Sequence, residues 1–459
     1  MSLTLSKKVL AAYAMPGLGM ALLTSPFPAL LTAFYAKYTM ATTVGIATVM
    51  LFARIFHGVI DPFIGYASDA TVGRFGPRKP WLMAGALLGV PGFYLAYMPA
   101  ADAGNLYMFV AMVSFYLALS VIEIPLKSWS AEISTDYAER SRISAWMTFT
   151  LLVGGVIFMM LPEVLQPLGV VQTTRMDRPM MALFGWIGMV LLPVGMAVAL
   201  WVVPVGTIVK GDRYSVREML MTVFVNRPYQ IFLGADWLIG VAWGVTYAVL
   251  FIAMDNYFGF GDKIGFLLLV ATAAQILVLP LCTRLGASMG KHQLWAVSSI
   301  LSALAGPLML LFPPDGKASL GLMFFFMGVV SAFGTPQMVF PSAMISDISD
   351  FGTMKTKQTR TGTYYAFRML IYPTAGAMGT SLAFFLMSAV GYNPAAKINT
   401  EFATTGMLWT LAFVPALLNL LAGLLLLRYP ITRNRHRAIR RRIDQRTAFQ
   451  EIAKTATMR

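Results

Sequence analysis

Residues 41–81 read ATTVGIATVMLFARIFHGVIDPFIGYASDATVGRFGPRKPW. Roughly 20 apolar residues cross the ~30 Å hydrocarbon core of a bilayer as a helix, and positions 41–66 are long and apolar enough to do so. Inside this run stand Arg54, His57 and Asp61, spaced by three and four and therefore on one helical face. A charge at membrane depth costs roughly 2.5–3.5 kcal/mol on insertion scales, so it faces a partner or a wet cavity. Pro62 follows Asp61 and frees a backbone carbonyl, an irregularity tolerated where helices line a cavity. The run ends in a short loop carrying Arg74, Arg78 and Lys79. The stretch reads as a membrane span with one polar face, closed by a basic loop.

Composition extends that reading to the whole chain. Of 459 residues, 58% are hydrophobic and only 12% charged, with mean hydropathy +0.68; ordinary soluble domains are about 45–50% apolar and about 25% charged. The excess faces lipid. The opening MSLTLSKKVLAAYAMPG runs straight into an apolar segment with no small-residue cleavage site, which predicts a first span and not a removed signal. A lone Cys282 and three histidines argue against disulfides and against a zinc site. The net charge of +15 does not point to nucleic acid, because the basic residues sit in short loops and in the tail RNRHRAIRRRIDQR, residues 433–446. That is the positive-inside pattern, and the tail reads as a topology anchor against anionic headgroups of the lipid bilayer.

Spans are expected near 9–36, 41–66, 80–99, 105–131, 143–165 and 180–204, then near 229–256, 263–285, 293–312, 318–346, 363–390 and 404–428. Residues 209–228 read as a central loop with a short helix. Alternate loops are basic. The expected inner loops hold Arg74, Arg78 and Lys79, then Arg140 and Arg142, then Lys210, Arg213, Arg217 and Arg227, then Arg284 and Lys291, then Lys355, Lys357 and Arg360. The expected outer loops hold only Lys37, Arg175, Arg178, Lys263, Lys317 and Lys397. This asymmetry predicts an all-α membrane protein of twelve transmembrane helices with both termini cytoplasmic. It divides into a six-helix bundle at 1–204, a cytoplasmic loop at 205–228, a second bundle at 229–428 and a basic cytoplasmic tail at 429–459. Two sets of six resemble the major facilitator fold, in which the halves are parallel repeats with the site between them near mid-membrane. The loops DATVGRFGPRK and TRLGASMGK, at matching places in the two sets, echo each other weakly.

Three blocks carry a more specific resemblance. ARIFHGVIDPFIGYASDATVGRFGPRKPW (53–81), IEIPLKSWSAEISTDYAERSRIS (122–144) and ISDISDFGTMKTKQTRTGTYYAF (345–367) resemble, in order and in both halves, the glycoside–pentoside–hexuronide:cation symporters of the major facilitator superfamily. The resemblance implies a monomeric carrier in the plasma (inner) membrane, moving a small glycoside-like organic solute with a coupling cation and using no cofactor. In that family, acids of the second and fourth spans hold the cation, and Asp61 and Glu123 fall on such positions. His57 stands where relatives often have a second aspartate. An imidazole is a poor sodium ligand but a good proton acceptor near neutral pH, so the pattern favours protons over sodium.

Glu123 and Lys127, at i and i+4 with Pro125 between them, form a second one-sided pair. The coupling set is then Asp61, His57, Arg54 and Glu123, and the substrate set Glu123, Lys127, Asp236, Trp243 and Thr374, with Tyr247 nearby. Each has a plainer reading: Arg54, His57 and Asp61 as a packing cluster, Glu123 and Lys127 as a self-neutralising pair, Asp236 as a surface turn. A cytoplasmic gate of ion pairs is expected from Asp69, Arg74, Arg78, Lys79, Asp136 and Arg140 in one half and from Asp347, Asp350, Lys355 and Arg360 in the other; topology anchoring explains the same charges. The chain also departs from the family. Met20 and Ala21 stand where the melibiose permease has a charged pair, Met147 or its neighbour where it has an arginine, and Thr374 near a lysine of many relatives. Those losses keep open a transporter of an amphipathic, lipid-like molecule, and sodium coupling also stays open. An enzyme is not expected, because no GxSxG elbow, HExxH helix or histidine cluster occurs.

Overall fold

Proline sets how the chain enters the membrane. In this computed structural model, the described residues are 5–25, 29–71, 73–134, 137–205, 226–314, 317, 319–356, 361–396 and 398–432, then 434–436, 438–439, 441–442 and 445. Among the described residues, the first expected span is made of three helical segments. Helix α1 (Lys7–Ala14) gives way at Pro16, the first residue of α2 (Pro16–Thr24), and α3 (Ala29–Tyr38) follows after residues 26–28, which lie outside the described residues. Pro16 lacks the N–H that would continue the ladder.

Eleven further segments among the described residues are long and apolar enough to cross a membrane. They belong to α4 (Thr43–Ala70), α5 (Lys79–Tyr97), α6 (Asn105–Ile133), α7 (Tyr137–Leu165), α8 (Arg178–Val202), α9 (Arg227–Asn256), α10 (Ile264–Met289), α11 (Lys291–Ala305, continued by a 3-10 turn at Gly306–Leu311), α12 (Leu320–Thr356), α13 (Thr361–Ala389) and α14 (Glu401–Leu427). Their starts follow local chemistry. Thr42, Asp177, Asn226 and Thr400 cap α4, α8, α9 and α14 through their side-chain oxygens, and proline occupies the first turn of α5, α8 and α9. The expected helix in the central loop lies outside the described residues, which omit 206–225. Large side chains such as Phe52, Phe63, Leu87, Trp201, Leu277 and Phe325 point outward, as lipid-facing surfaces require.

The helices pack in two groups. In the first, α2 lies between α7 and α8, and α6 between α4 and α5; in the second, α9 packs on α13 and α14, α10 on α12, and α11 on α12 and α14. Across the groups, α4 meets α13, α3 meets α9 and α7 meets α10. Both groups place the start of α1 and the end of α14 at one end of the bundle, here the near end.

Contacts across the groups gather at the far end. Lys37 bonds to Asp255 and, at 3.3 Å, to Asn256; Thr174 donates to the Asp262 carbonyl; Ser381 donates to the Ala47 carbonyl at 2.8 Å; Thr272 approaches the Met159 sulfur at 3.9 Å. All of these residues lie in the far half of their helices or beyond it. One apolar core there runs through both groups, from Phe34 and Met50 to Phe251, Phe258 and Phe384. The near half of the second group has its own core around Tyr229, Trp295, Ile345 and Leu426. Helix α4 shows the same polarity: it buries Ile46, Ala47, Val49, Met50 and Ala53 toward the far end, but only Ile64 and Ser68 beyond. The groups are sealed at the far end.

Glycine permits the closest helix approach. Where α9 crosses α13, Gly244 faces the Gly376 carbonyl and Gly379 faces the Val241 carbonyl, and a methyl at either would overlap backbone. Gly244→Ala is therefore expected to destabilise the protein by about 1–3 kcal/mol, read as a lower melting temperature in detergent. Gly104→Ala, with nothing within 4 Å of the added carbon, should leave that temperature unchanged.

Candidate functional site

Halfway along the helices the two groups part around a cavity of about 430 Å³. Arg54 and His57 of α4 and Tyr116 and Glu123 of α6 form one wall; Trp243 and Tyr247 of α9 and Tyr372 of α13 form the other. The expected coupling face of α4 is assembled as the spacing predicts. Arg54 Nη1 lies 3.0 Å from His57 Nδ1. A guanidinium only donates, so Nδ1 carries the lone pair, and the neutral ring bears its proton on Nε2. That nitrogen is 3.7 Å from Asp61 Oδ1, which in turn accepts a 2.5 Å hydrogen bond from the Ser120 hydroxyl. Tyr116 packs the cluster from α6: its ring centroid is 4.8 Å from that of His57 and 5.4 Å from the Arg54 guanidinium. The residues form a single connected chain, Arg54 to His57 to Asp61 to Ser120.

The expected substrate residues fare unequally. Glu123 reaches the wall and binds Lys127 at 2.6 Å, but Lys127 is 66% exposed and outside the wall. Trp243 reaches it, stacked on Tyr247 with centroids 5.1 Å apart. Thr374 does not: its hydroxyl donates to the Leu370 carbonyl of its own helix at 2.7 Å. Asp236 is not a surface turn. It is fully buried and takes a two-pronged ion pair from Arg368 of α13, at 2.9 and 3.2 Å, while the guanidinium also lies 4.9 Å from the centre of the Tyr372 ring. Arg368 was missed in the sequence although it is a charge inside a span, the costliest signal available. Ser120 and Tyr116 carried no comparable signal.

The near-end charges brace each group internally. Arg78 bonds to Asp69, to Glu132 at 2.7 Å and to the Ser68 hydroxyl at 2.6 Å. Lys79 donates to the Leu200 and Val203 carbonyls at 2.7 Å each, fastening α5 to the end of α8. Arg74 is exposed over the Phe75 ring. In the second group Asp347 pairs with Lys291 at 2.8 Å, Asp350 with His436 of the tail at 3.0 Å, and Lys355 lies over Phe351. Asp136, Arg360 and the Arg140 side chain lie outside the described residues. These pairs join residues of one group, whereas Lys37–Asp255, at the far end, bridges the groups. The tail, expected to rest on lipid headgroups, reaches Asp347 and Asp350 through His436 and seats Tyr429 and Ile431 in the near-end core.

A membrane-embedded polar cavity between two helix groups that meet at one end defines a secondary transporter of the major facilitator type. Solved structures agree on the fold: the nucleoside transporter NupG matches with TM-score 0.67 at 12% identity, over 93% of this chain and 100% of its own, and a bacterial homologue of the human drug peptide transporters matches with TM-score 0.62 at 12%, over 92% and 97%. The family model described as MFS/sugar transport protein matches residues 12–433, and the chain belongs to that family. An uncharacterised symporter of Synechocystis sp. is 22% identical over 91% of this chain and 94% of its own. The inner membrane symporter YicJ of Escherichia coli (strain K12) is 23% identical over 84% and 83%, and the glucuronide carrier protein homolog of the same organism 22% over 90% and 91%. These relatives place it among the glycoside–pentoside–hexuronide:cation symporters, transporters and not enzymes, as a multi-pass integral membrane protein.

Breaking the far-end bridge should open that end. In a Cys282→Ser background, Asp255→Asn is expected to raise several-fold the rate at which Ala33→Cys, beside the bridge, reacts with a maleimide added from the far side.

Proposed function

We propose that the chain is a twelve-helix symporter, with α1–α3 as its first crossing and both termini cytoplasmic, that couples a proton to the movement of a sugar- or glycoside-like solute. With that orientation the far end is the outer one, and the structure corresponds to an inward-facing state. Bundles 1–204 and 229–428 rock about the mid-depth cavity, the Lys37–Asp255 bridge forming and breaking in each cycle. The basic loops support the orientation, and the named symporters among the relatives support the solute class.

The observation that carries the proton reading is the Arg54–His57 contact. The His57 Nδ1 lone pair is occupied by a permanent cation, and Asp61 waits one turn away. A proton taken up by His57 at Nδ1 leaves Arg54 without its acceptor and draws the imidazolium toward Asp61. Arg54 then turns into the cavity it already borders, where hydroxyl or carboxyl groups of a solute replace the lost partner. Binding of proton and solute thereby favour each other. Sodium has less to hold it, since the imidazole takes the place of a carboxylate oxygen.

Uptake into proteoliposomes under an imposed proton gradient, a sodium gradient or neither tests this. The proton gradient is expected to drive uptake of a glycoside, and Asp61→Asn and His57→Gln to reduce it to the gradient-free level. Sodium-driven uptake that survives His57→Gln would overturn the proton assignment and leave the symporter standing.

A further inference from the structure

Behind the stacked Trp243 and Tyr247 lies a second cavity, of about 210 Å³, that the coupling cluster does not touch. Its walls are α9, α10, α12 and α14, all of the second group, and it is closed by Met159 of α7, from the first. Met254, Met309, Phe326 and Met327 make much of its surface apolar. The polar edge of Trp243 is already satisfied: Nε1 donates to Gln337 at 3.1 Å, and Gln337 donates onward to Asn419 at 3.1 Å. Three other lining groups are not. The Tyr247 hydroxyl, the Gln275 carboxamide and the Ser331 hydroxyl, one each from α9, α10 and α12, make no hydrogen bond among the described residues. All three stand about three turns from the far ends of their helices, at a similar depth. Polar groups in such walls take a partner from solvent or ligand.

The closing residue ties this chamber to the seal between the groups. Met159 Sδ lies 3.9 Å from the Thr272 hydroxyl, and the Met159 carbonyl faces Gly265, where an added Cβ would come within 2.6 Å. Both contacts belong to the far half of α10, so parting the groups at that end withdraws Met159 and opens the chamber to the far side. We propose that the chamber is a regulatory site, separate from the solute cavity, for a small planar aromatic molecule bearing a hydroxyl or ring N–H, and that its occupant holds the far end shut. The ring lies against methionine and aromatic carbon, and its polar group meets Tyr247, Gln275 or Ser331. A hydrocarbon chain would leave all three without a partner, and a polyhydroxylated molecule would set most of its hydroxyls against carbon. The size fits, because an apolar cavity of about 150 Å³ already holds benzene and this one is larger. An occupant that touches both the second group and Met159 binds the sealed state better than the parted one, and by linkage favours it. That last step alone rests on the reading that the two groups rock.

Titration of 2-naphthol against the full chain in nanodiscs, with protein-free nanodiscs as the reference for partition into lipid, tests the site. Saturable binding of one molecule per chain is expected. Ala271→Phe and Ser331→Leu fill the chamber from two walls, and each is expected to abolish the saturable component while leaving the melting temperature unchanged. Gln275→Leu, which removes a hydrogen-bonding group at similar volume, is expected to weaken binding several-fold. Uptake no greater than that of protein-free nanodiscs would overturn the proposal, and so would saturable binding that persists in a folded, filled variant. The consequence is read in the Cys282→Ser, Asp255→Asn, Ala33→Cys protein. Saturating 2-naphthol is expected to slow its maleimide labelling from the far side several-fold, and to have no effect once Ala271→Phe is added. Saturable binding with unchanged labelling would overturn the claim that the occupant holds the far end shut. Failure of Asp255→Asn to raise labelling without 2-naphthol would instead count against the rocking of the groups, and the binding result stands on its own.

Discussion

Hydrocarbon supplies no partner to a charge or to an open backbone carbonyl, and the arrangement of this protein follows from that constraint. Four charged groups near mid-membrane depth each have a neighbour. Arg54 has His57 and the Tyr116 ring, Asp61 has Ser120, Glu123 has Lys127, and the buried Asp236 has the fork of Arg368. In a helix these partners are found one turn away or across a helix crossing. Placing them fixes the rotation of α4 against α6 and of α9 against α13. Polar groups at the centre of the membrane thus act as packing instructions as well as working parts.

The two ends of the bundle solve the problem differently. At the near end, Arg78 with Asp69 and Glu132, and Lys291 with Asp347, bind helices of one group into a stiff unit. At the far end, Lys37 and Asp255 join one group to the other over a shared apolar core. Stiff halves with a breakable bridge are what rigid-body rocking needs, because motion is then confined to the surfaces between them. The carbonyl-to-glycine contacts of α9 with α13 add to this, since backbone in direct contact has no side chain to deform.

Much of this was legible along the chain. Span positions from the second onward agree with the helices to within a few residues, apart from a few overhanging ends, because hydropathy reports the solvent directly and the bilayer has a fixed thickness. The Arg54–His57–Asp61 face was legible because helical periodicity places neighbours without any tertiary information. The first span holds a break that hydropathy does not show: its composition is uniformly apolar, and Pro16 marks the passage from α1 to α2. The near-end charges were expected to form a cytoplasmic gate of ion pairs or to anchor topology, and the pairs among the described residues join helices or tail of one group. Charge and position along the chain do not reveal which helix stands opposite.

By itself, the sequence determined the solvent, the helices, the basic loops, the polar face of α4 and the family to which the chain belongs. These depend on interactions within about one helical turn, or on the bilayer, which acts on each segment separately. The tertiary structure alone decided that Asp236 is neutralised by Arg368, that Thr374 and Lys127 stay outside the cavity, that Lys37 meets Asp255, and that an apolar chamber lies behind Trp243. Each of those joins residues on different helices, or depends on how far a helix is rotated. Rotation is set by the packing of all the helices together, which no single segment encodes.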